Sequence, residues 1–282
     1  MELTADMRSW IATALARCGR SATGAIEVER AKPWALVCRV ESDAGRTWAK
    51  MPHPAFGYEG SLAMALGELA KDAVHVPLVV DDRGWFLSDD GGATYTDHQD
   101  GATSLRTYTQ IVAASMADPD HLLAAGAPDR RPVRLRAVWT ALVGAVGDPD
   151  LRDRLHGAGA PFDRALDQLD DDGRIGICNT DIRPSHAFVG PPARIFDWGD
   201  ATVGHPLCCL GIVRNYSRDE RVQQRLIATH WPDERAELLT AAGIVESVLR
   251  ADVWRRDPPG ARELHPGMID FWMADALDQM DV

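Results

Sequence analysis

The sequence predicts an α+β protein of two unequal lobes, a strand-rich one over residues 1–90 and a larger, mostly helical one over 91–282. Three observations carry this. Up to about Asp90 the hydrophobic pattern reads helix, three strands, helix, two strands, with turn signals between them. Beyond Asp90-Gly91-Gly92 apolar residues recur mainly at helical spacing. No repeat of roughly 20–50 residues and no low-complexity linker divides the chain, and 282 residues suffice for a substantial core.

Thr4 is placed to cap a first helix whose Met7, Trp10, Ile11, Ala14 and Leu15 share a face, and Gly19 to end it. AIEVER and WALVCRVES read as strands, and RTWAKM as a third after the turn Asp43-Ala44-Gly45. YEGSLAMALGELAK is helical, with Leu62, Leu66 and Leu69 on one side. VHVPLVV and GWFLS form a strand pair around Asp82-Arg83-Gly84. In the helical half Trp139, Leu142 and Val143 are core candidates. One stretch there breaks the pattern, from Arg174 to Asp200: RIGI, the polar loop NTDIRPS, AFV, the Pro191-Pro192 turn, and RIFDW. Polar loops held by short strands are where function concentrates.

Composition narrows the function classes. Apolar residues at 45% and charged ones at 26% fit a globular chain and exclude a disordered or fibrous one. With a net charge of −12, neither duplex nucleic acid nor an anionic membrane is an expected partner. The longest nearly apolar run, AVWTALVGAV, is too short to span a bilayer. MELTADMRSW lacks the basic-then-apolar pattern of a secretion signal, and five cysteines without a CxxC pair suit a reducing cytoplasm. Only three of the thirty basic residues are lysines, so each lysine merits inspection.

The candidates for chemistry are Asp181 in the polar loop and Asp197 sixteen residues later, each just past a β-type run. A lone aspartate in a turn is most often structural. Two at strand ends, able to project into one cleft, point to chemistry. Lys50 ends a strand and Glu59 opens a helix nine residues on. Taken singly, the lysine reads as a solvated strand residue and the glutamate as a helix-start acid favoured by the dipole.

RTWAKM followed by YEGSLAMAL, the WFLSDDGG segment, and NTDIRPSHAFV followed by IFDWGDATVGHP resemble the aminoglycoside phosphotransferases, a branch of the protein-kinase-like fold. The resemblance spans nearly the whole chain, and its most specific part is FDWGDA with the following GHP. It implies a protein-kinase-like two-lobe fold, an N-terminal antiparallel β lobe on a larger helical C-terminal lobe, with ATP or GTP between them. It further implies that Lys50 holds the α- and β-phosphates, that Glu59 pairs with it, and that Asp181 accepts or orients a substrate hydroxyl. Asp197 would bind Mg²⁺. Phe86, Leu87 and Ser88, after Trp85, would link the lobes and hold the nucleotide base through their backbone.

Three departures accompany the match. Asn179 stands where the family has a loop histidine, with the expected loss of a structural hydrogen-bonding group. His186 replaces the family's metal-binding asparagine and becomes a candidate metal ligand that favours softer ions. Arg183 takes the place where protein kinases carry a phosphate-contacting lysine. A glycine-rich nucleotide loop between AIEVER and WALV is also absent.

Asp200 and His205 read as structural, and Cys208-Cys209 as core. His53, His75 and His98 read as surface or turn residues. Ser185 lies in no nucleophile elbow. The acids Asp170-Asp171-Asp172 and those from Asp270 to Asp281 read as solvated faces, compatible with a negative cleft for the polycationic substrates common in this family. The resemblance implies a small-molecule O-phosphotransferase, an antibiotic of aminoglycoside, peptide or nucleoside type being the first acceptor to expect, with resistance as the result. A choline, amino-alcohol or sugar kinase is the alternative acceptor class, and a silent nucleotide-binding pseudokinase the alternative of another kind.

Overall fold

Thr4 starts the first helix as its sequence foretells: its hydroxyl accepts the Met7 N–H at 3.3 Å, fixing the first turn of α1 (Ala5–Arg17). Residues 1–96, 101–232 and 234–280 are described by a computed structural model of the chain. Met7, Trp10, Ile11, Ala14 and Leu15 are buried on one face of α1, and Gly19, at a positive φ of 69°, turns the chain out.

That face packs on a five-stranded antiparallel sheet. Its strands are β1 (Ala22–Ala31), β2 (Ala35–Ser42) and β3 (Gly45–Pro52), then, after α2 (Glu59–Leu69), β4 (Val79–Val80) and β5 (Phe86–Asp89). The spatial order is β1-β2-β3-β5-β4. Leu36, Cys38 and Val40 of β2 and Ala49 and Met51 of β3 alternate inward to meet α1. VHVPLVV is not the strand its composition suggests. Pro77 has no N–H to donate to a ladder, and only Val79–Val80 pairs with β5. Val74 instead bridges Ile195 in parallel, with the His75 N–H on the Ile195 carbonyl at 2.8 Å, stitching this stretch to the helical lobe. His75 is accordingly buried, its ring bonded to the Asp89 carbonyl, and not at the surface.

The helical lobe runs α3 (Gly101–Ser115), α4 (Pro119–Ala124), β6 (Asp129–Arg130), α5 (Pro132–Ala145), α6 (Pro149–Gly157) and α7 (Gly159–Asp172). It continues through β7 (Gly176–Asn179), β8 (Ala187–Phe188), β9 (Arg194–Ile195) and β10 (Ala201–Gly204) to α8 (Glu220–His230), α9 (Ala236–Arg256), α10 (Pro259–Leu264) and α11 (Met268–Asp278). Proline at the first position and Asp118 or Asp148 as cap start α4 and α6. Trp139 of α5 stacks on Phe162 of α7 with ring centroids 4.4 Å apart, in a core that α2 joins through Leu62 and Leu66. Truncating either leucine to alanine would cost about 2–5 kcal/mol.

Two elements escape a reading by pattern. β10 pairs antiparallel with β7 and parallel with β6, giving a small sheet of order β6-β10-β7. Every residue of β10 is buried, so ATVG shows no alternation, and β6 is two residues long. Asp172 is not solvated: it pairs with Arg174 at 2.5 Å and with buried His205 at 2.9 Å, which bears out a structural His205. Asp270 accepts the Gly147 and Asp148 N–H groups, and Asp275 bonds Ser247 at 2.5 Å, so these tail acids are structural as well. His98 and Asp281 lie outside the described residues. All five cysteines are free, Cys208 and Cys209 in the core. Among the described residues no helix is long and apolar enough to cross a membrane.

Candidate active site

The alternation of β3 sends Ala49 and Met51 into the core and Lys50 to the other face. Glu59, in the first turn of α2, is only 3% exposed, and burial of such an acid demands a partner. Lys50 supplies it, donating from Nζ to Glu59 Oε1 at 2.7 Å and to Asp197 Oδ1 at 2.8 Å. One ammonium thus joins two carboxylates drawn from the strand lobe and the helical lobe. Burial alone would push the Lys50 pKa down, yet Asp197 and Glu59 more than offset it and hold it above the usual value. For Asp197, burial is outweighed by Lys50 and then His186, and the carboxyl stays well below its usual range. Burial raises Glu59 despite Lys50.

Asp197 follows β9 by two residues and has φ = +67°. For a residue with a Cβ this is a strained backbone state, and such states cluster at functional sites. The loop of Asp181 is fixed by Asn179 at the end of β7. The Asn179 side chain accepts the Asp181 N–H at 3.0 Å and donates to the Asp197 carbonyl at 3.1 Å. Here the expectation of a lost hydrogen-bonding group is corrected, because a carboxamide both donates and accepts. Arg183 pairs with Asp181. Arg250 of α9 donates to the Thr180 carbonyl and lies 4.7 Å over the Trp272 ring, holding the same loop from below.

These side chains meet in a cleft of about 430 Å³, within the range of small-molecule sites. Lys50, Glu59, Asp181, Arg183 and Asp197 all line it, as the sequence reading requires. Asp200 lines it too, which corrects its structural assignment. Burial, then Asp181 and Asp197, push the Asp200 carboxyl up to about 7. Asp257, 8% exposed, also faces the cleft, and its carboxylate has no hydrogen bond or ion pair among the described residues. Burial raises it to about 6 against Arg256 and Arg262. Trp34, Trp254 and Trp272 complete the wall, with His265 between Trp34 and Trp254 at 6.4 and 5.3 Å. Asp200 was within sequence reach, three residues past Asp197. Nothing local marks Asp257 or the tryptophans, which only the tertiary fold brings in.

Two expectations shift. Phe86, Leu87 and Ser88 lie inside β5, pairing with β3, and Phe86 and Leu87 also with β4; none of the three lines the cleft. Their backbone groups are spent on the ladder, so the three are not free to hold a base as expected. His186 is not on the cleft wall either. Its Nε2 stands 3.6 Å from Asp197 Oδ2, and its Nδ1 is buried without a hydrogen-bond partner among the described residues. Burial lowers its pKa, so the ring is neutral near pH 7. Among the described residues no three His, Cys, Asp or Glu side chains converge to hold a metal unaided. Mg²⁺ at phosphate sites takes one or two carboxylates, with phosphate and water completing its shell. Asp197 fits that share, and His186 Nε2, 3.6 Å from Asp197 Oδ2, stands close enough to share an ion with it.

The family model of the phosphotransferase enzymes matches residues 33–250. Among solved structures, a macrolide 2'-phosphotransferase from Brachybacterium faecium is 19% identical, with 95% of this chain and 98% of that one covered and a TM-score of 0.61. A choline kinase from Streptococcus pneumoniae is 11% identical, with 98% and 99% covered and a TM-score of 0.69. Aminoglycoside 2'-phosphotransferase-IIIa in its GDP complex is 12% identical, with 99% of each chain covered and a TM-score of 0.61. At these identities the likeness is one of fold, and it bears out the two-lobe kinase-like architecture. No curated protein sequence matches the chain significantly.

Proposed function

The chain belongs to the phosphotransferase enzyme family and acts on hydroxyl groups, and from that premise we propose that it moves the γ-phosphate of ATP or GTP to a hydroxyl of a small molecule in the cytoplasm. Residues 1–90 are read as the nucleotide-binding lobe, and 91–282 as the lobe of the catalytic loop and acceptor site. The observation that carries this is Lys50, held between Glu59 and Asp197 at 2.7 and 2.8 Å beside Asp181 in one cleft.

In this reading Lys50, oriented by Glu59, neutralises the α- and β-phosphates, and Arg183 contacts the transferring group. Asp197 would hold Mg²⁺, which supplies charge neutralisation across the phosphate oxygens. Asp181 takes the hydroxyl proton while the acceptor oxygen bonds to phosphorus and the bond to the leaving nucleoside diphosphate breaks. Positioning and preorganised charge supply most of the rate.

The acceptor is proposed to carry an amine. The Asp257 carboxylate is buried without a hydrogen bond or ion pair among the described residues, and Asp200 is raised by burial and then by Asp181 and Asp197, so a cation entering the cleft relieves both. An antibiotic with an amino group is the first choice. The three tryptophans equally favour a choline-like or amino-alcohol acceptor, through cation–π contact. The test is transfer of labelled phosphate from ATP and from GTP to a panel of macrolides, aminoglycosides, choline and ethanolamine. Product with none of these acceptors would sink the acceptor assignment.

A further inference from the structure

Tyr58 stands where three parts of the site meet. It precedes Glu59 at the start of α2. Its hydroxyl donates to the carbonyl of Gly199, two residues after Asp197. Arg256, the last residue of α9 and neighbour of Asp257, donates from Nη1 to the same hydroxyl at 3.4 Å. Arg256 is held in turn by Asp252, Nε to Oδ2 at 3.3 Å, and lies 5.7 Å over the Phe56 ring. Burial pushes the Tyr58 phenol up to about 12, so it remains a donor throughout the neutral range. The contact leaves no slack: a Cβ on Gly199 would stand 3.4 Å from Glu59 Oε2, and one on Gly126 would stand 3.1 Å from Tyr58 Cβ.

Neither Tyr58 nor Arg256 lines the cleft or touches Lys50. We propose that Tyr58, backed by Arg256, is a positioning residue that sets the spacing of Glu59 and the Asp197 loop so that one lysine bridges both. The proposal rests on reading Lys50, Glu59 and Asp197 as the phosphate site. A phenol suits the task because it is rigid and can accept from a guanidinium while donating to a carbonyl. Without the hydroxyl, Gly199 loses its tether, Arg256 loses an acceptor, and the Lys50 bridge loses its fixed span while its members remain.

Tyr58→Phe keeps the ring and removes only the hydroxyl. Measured as hydrolysis of ATP with Mg²⁺, which needs no identified acceptor, kcat is expected to fall about tenfold or more, the worth of roughly 1.4 kcal/mol. Metal-free ATP affinity should change little, and the thermal midpoint should fall modestly because the Gly199 carbonyl and Arg256 each lose a partner. A merely structural role would lower the midpoint and leave kcat per folded molecule unchanged, and that outcome overturns the proposal. Arg256→Met reads the same coupling from the other side should the first variant not fold: kcat falls in the same way, or the proposal fails. Lys50→Ala is the control. If it retains full hydrolysis, the phosphate-site reading is wrong. If it is inactive while Tyr58→Phe stays within twofold of the parent, only the positioning role is wrong.

Discussion

The side-chain amide of Asn179 donates to the backbone carbonyl of Asp197 at 3.1 Å and accepts the Asp181 N–H at 3.0 Å. One neutral side chain therefore fixes the spacing of the two aspartates on which the proposed chemistry rests. Asn179→Ala leaves a part-buried donor, the Asp181 N–H, and a part-buried acceptor, the Asp197 carbonyl, without this partner, costing about 1 kcal/mol or more. We expect a lower thermal midpoint and a kcat reduced beyond what the unfolded fraction explains. A variant with unchanged kcat would show that the bridge is not needed for alignment.

Asp181→Asn is expected to leave nucleotide affinity nearly intact and to remove most turnover. A carboxamide cannot take the hydroxyl proton, work typically worth about 10²–10⁴-fold. Calorimetric nucleotide binding beside single-turnover transfer separates the two effects. Near-normal kcat with a confirmed acceptor would remove Asp181 from the base role.

Much of this site is legible in the sequence, and the remainder has physical reasons for being hidden. Lys50, Glu59, Asp181 and Asp197 announce themselves because each sits at an element end with a motif around it, and all four line one cleft. Thr4 and the face from Met7 to Leu15 are equally plain, since capping and helical period act within a few residues. Asp257 and Trp254 carry no such mark; they matter only because α9 returns to the cleft. The strand reading of VHVPLVV failed because composition favours β structure whereas Pro77 and the pairing of Val74 with Ile195 decide otherwise. β10 was hidden because a strand buried on both faces shows no alternation.

Asp197→Ala should abolish the metal-dependent part of nucleotide binding, and Lys50→Ala should lower kcat by misplacing the phosphates. Because Lys50→Ala would leave Glu59 buried and unpaired, the second variant also tests the triad as a structural unit. Titration of ATP with and without Mg²⁺ reads the metal term directly. Metal-dependent binding that survives in Asp197→Ala moves the metal site elsewhere.

His186→Asn restores the residue the family carries. With Nε2 3.6 Å from Asp197 Oδ2, the imidazole reaches either that carboxylate or an ion bound to it. If it acts on the carboxylate alone, the variant alters kcat by a few-fold and leaves the preference between Mg²⁺ and Mn²⁺ unchanged. A preference for Mn²⁺ in the parent that vanishes in the variant would instead make His186 a ligand.

Asp257 predicts a pH signature. Its carboxyl is raised by burial from the ordinary 3.8 to about 6 in the folded chain. Between these values the folded protein holds a proton that the unfolded chain has released, so stability is lost as pH rises through that window and stays lower above it. Asp257→Asn removes the ionisation. Its thermal midpoint should exceed that of the parent at pH 8, by an amount equivalent to about 1–3 kcal/mol, and should differ little at pH 4. The same substitution should raise KM for an amine-bearing acceptor with kcat nearly unchanged, because the group that would receive the ammonium is gone. In the parent, that KM should rise as pH falls through about 6, where Asp257 becomes neutral. Equal midpoints at pH 8 together with an unchanged KM would mean that the carboxylate is neither strained when empty nor used when the acceptor is bound.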